Sequence, residues 1–396
     1  MRHVASFLVL VLATSCGDDA PSAPKDIPAR RTLVAGLAER VMLPNYREFA
    51  ARAAELETAT AAWASTGGEP DRVAAQVAWR GANAMWQRAE LHTVGPAGMN
   101  LSVAGGMDIR DDIYAWPLAN RCRVDQETVT SLFATPGALG AAPVNVRGLV
   151  ALEYLLFRAD GGNACAATSA LNTDGSWAAL GDVEVARRRA AYAREAAALV
   201  RQRADALVAA WEPSGGGFLT QISTAGTTST LFPSSQAAVN SVTDAMLYLE
   251  DAVKDTKLAG PGSISTACAV ASCPELLEAP IARAAKDNVL ANLRGFQALF
   301  LGAPVGTDAY GFDDLLVEIG ASALSAAIVR DLDGALMAVE AVPGTFDEAL
   351  ALDNTAGQAA FLAAYDAVKL LTDDLKLQFI AVLDLQLPSR IDGDND

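Results

Sequence analysis

From Thr32 onward the apolar side chains recur at three- and four-residue intervals, the period that lines one face of an α-helix. Pro44, inside MLPNYREFAARAAEL, marks a kink or a helix start in the first such stretch. A second helix is predicted from about Asp71 to His92, where Trp79, Asn83, Trp86 and Glu90 share one face, so two polar side chains lie on a tryptophan stripe. Residues 95–145 are rich in Gly and Pro and predict short elements only, the kind of long irregular insertion that often carries function. The run NVRGLVALEYLLF follows as a helix, then a loop over residues 160–182. The next helix is predicted to reach Trp211, with Tyr192, Leu199, Leu207 and Trp211 as its inner stripe.

EPSGGG breaks that helix, and the break at Pro213 to Gly217 is the clearest domain boundary in the chain. Beyond it the pattern predicts helices at about 234–257, 280–301, 311–342 and 355–387. In the last, Phe361, Tyr365, Val368, Thr372, Leu375 and Phe379 form a core stripe. The expectation is an all-α protein of two antiparallel helical-bundle halves, residues 31–213 and 218–388, joined by long irregular loops. Composition agrees: 52% of residues are hydrophobic, mainly Ala, Leu and Val, and only 6% are aromatic, which suits closely packed helices. The net charge of −17 excludes nucleic acid and anionic membrane surfaces as binding partners and leaves cationic ligands open.

The first 15 residues have a basic start, an apolar run from Val4 to Ala13 and small residues before Cys16, which reads as a secretory signal. Cys16 stands where a bacterial lipoprotein signal places the cysteine that becomes lipidated, with plain secretion as the alternative. Residues 16–30 are then a polar, proline-rich tether, and the membrane is contacted only through this anchor. Gly17 and Asp18 lack the inner-membrane retention signal, so the expected location is the periplasmic face of the envelope, with the outer membrane preferred. Four further cysteines, Cys122, Cys165, Cys268 and Cys273, would form disulfides in that oxidising compartment; pairing 122 with 165 and 268 with 273 is the most local of three choices. Residues 389–396 read as an acidic tail.

Glu153 carries the sharpest chemistry, because Leu149, Val150, Leu156 and Phe157 surround it on a helix. A carboxylate there must be neutral, paired with a cation such as Arg80, Arg123 or Arg147, or a metal ligand. Glu90 on the tryptophan face and Asp125 in RCRVDQE are further acids, and a hard cation such as iron or calcium could be held by Glu90, Asp125 and Glu153 through oxygen alone. Trp86 and Arg147 are expected to line such a site. Asp313 and Asp314 read as first-turn acids of a helix, and Asp251 and Asp255 as a solvated face. His92 is the one histidine left after signal removal and reads as a satisfied polar or surface residue. With no HExxH and no GxSxG, neither a three-histidine zinc centre nor a serine triad can be built, and no catalytic residue is assigned.

Several stretches together resemble the imelysin family of bacterial cell-envelope proteins: VAWRGANAMWQRAELHTVGPAG, IYAWPLANRCRVDQETV, NVRGLVALEYLLF, YLEDAVKDTKLAGP, CAVASCPELLEAP, GFDDLL and KLQFIAVLDLQLPSRIDGDND. The resemblance implies two helical-bundle halves with a site between them, and a GxHxxE helix that sets His and Glu one turn apart. Gly148, Val150 and Glu153 fall on that motif, so the carboxylate is kept and the imidazole is replaced by Val150. The family's link to iron uptake implies a non-enzymatic binding protein serving metal acquisition, with a metal ion and an envelope transport protein as partners. The rival readings are a metal-dependent peptidase-like hydrolase and a partner-binding envelope protein whose metal site is lost. Oligomeric state is not fixed by the sequence.

Overall fold

The computed structural model describes residues 27–386, and all regular structure among them is helical. The signal segment, Cys16 and the acidic tail lie outside the described residues. Helix α1 (Pro28–Leu37) runs through a π-helical stretch (Ala38–Met42) into α2 (Leu43–Thr66). Pro44 sits in the first turn of α2, directly after the wider π turns, which make room for a residue with no N–H to donate. The helix therefore starts at Pro28 and not after Arg30, because proline is well suited to the first helical turn.

The first half packs α2 against α3 (Glu69–Ala89) and against the long α6 (Gly181–Trp211), with α5 (Gly148–Phe157) laid on α3 and α6. Between α3 and α5 run only short elements, of which α4 (Arg121–Thr130) is the longest; a disulfide joins Cys122 on it to Cys165 in the loop that follows α5. The second half consists of α7 (Ser235–Met246), a π-helical continuation (Leu249–Ala259), α8 (Ala285–Phe300), α9 (Ser322–Ala341) and α10 (Thr355–Asp374). Cys268 and Cys273 close the loop between the π stretch and α8. The two disulfides are the most local of the three pairings open to these four cysteines.

Every member of the two apolar stripes singled out on α6 and along α10 is buried. They belong to one apolar core that runs through both halves, so the halves are not separate cores with a hinge between them. The opening helix contributes to this: Arg30 donates to the carbonyl of Leu383 at 2.9 Å, and Arg40 to those of Gly302 and Tyr310. Thus α1 packs on the second half while its continuation α2 builds the first.

Two predicted helices in the second half are shorter than their patterns. The stretch 311–342 is broken into Phe312–Glu318 and α9, with Gly320, a poor helix former, in the turn. The stretch 280–301 begins only at Ala285, because the backbone of residues 281 and 282 is committed to another partner.

Candidate functional site

That partner is Glu153. Its helix, α5, is apolar on nearly all sides, so the sequence places it inside the molecule and takes the carboxylate with it, to 3% exposure. No cation supplies a salt bridge among the described residues. The backbone N–H groups of Ile281 and Ala282 donate to Oε1 at 2.7 and 2.9 Å. Ala279 and Arg283 adopt positive φ values of 47° and 51°, strained for residues with a Cβ, and they bracket the turn that aims both amides at the acid. Arg80 completes the clamp by donating to the carbonyl of Ala282 at 2.6 Å while lying over the Phe157 ring. Burial raises the pKa of Glu153, opposed by the Ala282 amide, by Arg121 and by the Ile281 amide.

Glu153 faces a cleft of about 650 Å³ between the two halves. Its walls are aromatic and apolar, with Trp79, Tyr114 and Trp116 on one side and Leu276, Leu277 and Pro280 on the other. Val150, at the histidine position of the motif, lines the same cleft one turn before Glu153. The charged groups on the lining are Glu153, Asp255 and Glu275 against Arg121. Oε2 of Glu153 accepts no hydrogen bond from the described residues, so one oxygen of the buried acid is left to the cleft.

The other sequence-derived candidates lie elsewhere. Glu90 is buried and paired with Arg110 at 3.0 Å, and the Trp86 indole donates to its Oε1 at 2.5 Å. Asp125 is fully buried; the Tyr154 hydroxyl donates to it at 2.5 Å, the Ala164 amide at 2.7 Å, and Arg189 stands 3.6 Å away. Burial raises its pKa, offset by these partners. Arg147 pairs with Asp112 at 2.5 Å, and neither it nor Trp86 lines the cleft. Arg123, considered as a partner for Glu153, pairs with Glu127 instead. The three acids are therefore not gathered around one ion, and no group of three or more His, Cys, Asp or Glu among the described residues is placed to hold one. With Val150 in place of the imidazole, this donor set does not fit a metal centre held by the protein.

His92, expected as a satisfied polar or surface residue, is buried with its Nδ1 unbonded among the described residues. Helix α3 gives way to a 3-10 turn at Glu90–His92, which turns the imidazole inward against the Tyr46 ring, to 1% exposure. Burial lowers its pKa to about 3. Of the acids assigned to helix starts, Asp314 caps the Gly311 N–H at 3.2 Å, and burial raises Asp313 to about 6. Asp255, read as solvated, is paired with Lys254 at 3.2 Å.

Sequence reasoning missed the polar seam behind the cleft. Lys257 is buried and bonds Glu278 at 2.9 Å, Gln87 at 2.8 Å and Asn292 at 2.8 Å, while the Tyr114 hydroxyl donates to Glu278 at 2.5 Å. Lys257 also lies 5.4 Å from the Trp116 ring centroid, so this seam backs the aromatic wall. A lysine next to Leu258 in a helical pattern was the available signal; Glu278, in an irregular loop, offered none.

The sequence matches the family model for Imelysin over residues 42–375. Among solved structures, an iron-regulated protein A precursor from Parabacteroides distasonis is similar, with 15% identity and a TM-score of 0.66 over 90% of this chain and 97% of that one. An imelysin-like protein from Psychrobacter arcticum is similar with 16% identity and a TM-score of 0.68, over 92% of this chain and 99% of that one. At these identities the likeness is one of fold. No curated protein matches the sequence.

Proposed function

The chain belongs to the imelysin family, and from that premise we propose that it is a lipid-anchored cell-envelope protein that binds its target without cutting it, in the service of iron acquisition. The observation that carries this reading is the cleft between the halves, with one oxygen of the buried Glu153 turned to it. Hydrolysis by a metal-bound hydroxide needs about three protein ligands and an open position, and the residues at the cleft do not provide them. The single histidine of the described chain is buried against Tyr46 with its pKa depressed, so it is unsuited to act as a general base. Binding asks only for a shaped cavity with a few fixed polar groups.

Iron enters through the Parabacteroides protein, which shares the fold and is described as iron-regulated. Anchoring rests on Cys16 and its preceding signal. No described helix is long and apolar enough to cross a membrane. The test is metal analysis of the purified chain beside calorimetric titration with ferric citrate, ferric nitrilotriacetate and a ferric trihydroxamate. Stoichiometric binding of a ferric species that Glu153→Gln weakens at least tenfold supports the reading. Loss of every ferric response in the folded wild type removes the iron assignment and leaves a partner-binding envelope protein. Mass spectrometry of the membrane fraction reads the anchor: diacylglycerol on Cys16 is expected, and an unmodified or cleaved-off cysteine would refute it.

A further inference from the structure

A cleft of about 650 Å³ is far larger than one ion needs, and it carries no ligand cluster. What it presents is a fixed acceptor. Oε1 of Glu153 is held by two amides, and the strained turn between Ala279 and Arg283 keeps the carboxylate plane in place, leaving Oε2 as the acceptor for a donor arriving from the cleft. The lining bears three carboxylates against one guanidinium, although Asp255 also leans on Lys254. Of the aromatic residues around them, Trp79 and Tyr114 are buried and Trp116 is the one with an accessible ring, a surface that takes an apolar body and favours positive charge. The indole of Trp79 and the hydroxyl of Tyr114 are already bonded, to Leu149 and Glu278, so the wall offers few competing polar contacts.

We propose that this cleft recognises an organic cation, a primary ammonium carried on an apolar body, through Glu153 Oε2, and that any iron it takes up travels inside such a molecule and is not bonded by the protein. The ammonium donates to Oε2 and the body lies along the aromatic wall. This rests on the reading of the cleft as the binding site, and does not require that the cargo be iron. Val150 has a role in it: a small aliphatic side chain one turn from Glu153 leaves room for the ligand where an imidazole would fill the space and supply its own donor.

The test is calorimetric titration of the purified chain with four probes: the ferric trihydroxamate ferrioxamine B, which carries a free ammonium; its N-acetylated form; metal-free desferrioxamine B; and ferric nitrilotriacetate. The expected result is that both amines bind, with or without metal, and that acetylation weakens binding at least tenfold. Glu153→Gln, which keeps an acceptor for both amides, should weaken the amines by a similar factor, and Val150→Lys should abolish binding by placing its own ammonium on Glu153. Circular dichroism shows whether each variant is folded. Equal affinity for the amine and its acetylated form overturns the proposal. So does stoichiometric capture of iron from nitrilotriacetate without response to either amine, a result that keeps the cleft as an iron site and thus spares the reading of function. Silence toward all four probes overturns both.

Discussion

At the scale of single residues, two buried titratable groups contribute to how stability responds to pH in opposite directions. His92 has a folded pKa of about 3, below its ordinary value, so the native state holds it neutral while the unfolded chain takes up a proton as pH falls. Stability is therefore lost below the ordinary histidine range, at a limiting slope of about 1.4 kcal/mol per pH unit until the folded pKa is reached. His92→Phe should remove this component, seen as a stability difference from wild type that shifts in the variant's favour between pH 7 and pH 4 in urea melts. Glu153 runs the other way: its pKa is raised by burial, so the folded state favours the protonated acid. Its ionisation costs stability as pH rises from the ordinary carboxylate range through the raised value. Glu153→Gln should gain on wild type over that rise, and a pH-independent difference would contradict the assignment. Burial of this acid was legible from its apolar neighbours on α5; its partners were not, because backbone amides 128 and 129 residues away leave no mark in a sequence pattern.

Among the elements, two glycines set how close helices and loops can come. Gly148 opens α5 with a φ of +73°, and a Cβ there would lie 2.5 Å from the carbonyl oxygen of Ile113. The motif glycine is thus required by the entry into the helix that carries Glu153. Gly148→Ala should cost about 1–3 kcal/mol by overpacking and more through its backbone angle, measured by chemical denaturation. Gly295 on α8 lies against α3, where a Cβ would stand 2.6 Å from the Arg88 carbonyl. Gly295→Ala should loosen the crossing of these two helices by a similar amount, again about 1–3 kcal/mol; a neutral effect would show that the halves can move apart at no cost. Helices with long apolar stripes were read correctly to within a few residues. Boundaries failed where tertiary partners took over the backbone, as at residues 281 and 282.

For the molecule as a whole, the seam between halves is polar at its centre. Lys257 and Glu278 are both buried and bonded to each other, and Gln87, Asn292 and Tyr114 satisfy the remaining positions. Removing one partner leaves a charge stranded in the interior. Lys257→Met should therefore cost about 3–5 kcal/mol, while the double change with Glu278→Leu should recover most of it, as expected for a buried pair. A double-mutant cycle in denaturant measures this, and additive losses would mean that the two residues act through separate partners. Because the seam backs the aromatic wall, the single variant should also weaken any ligand of the cleft.

The sequence by itself determined the helical class, the likeness to a two-bundle fold and the burial of Glu153, and it left three pairings open to the four cysteines. The helical class and the buried acid follow from a local rule, since a repeat of three and four residues fixes which face is apolar. Only the tertiary structure decided what surrounds the acid. It parted Glu90, Asp125 and Glu153, gave α1 to the second half, turned His92 inward and brought Lys257 to Glu278. Those outcomes depend on how helices far apart in the chain cross, and a crossing is set by packing across both halves at once, which the pattern along either one does not encode.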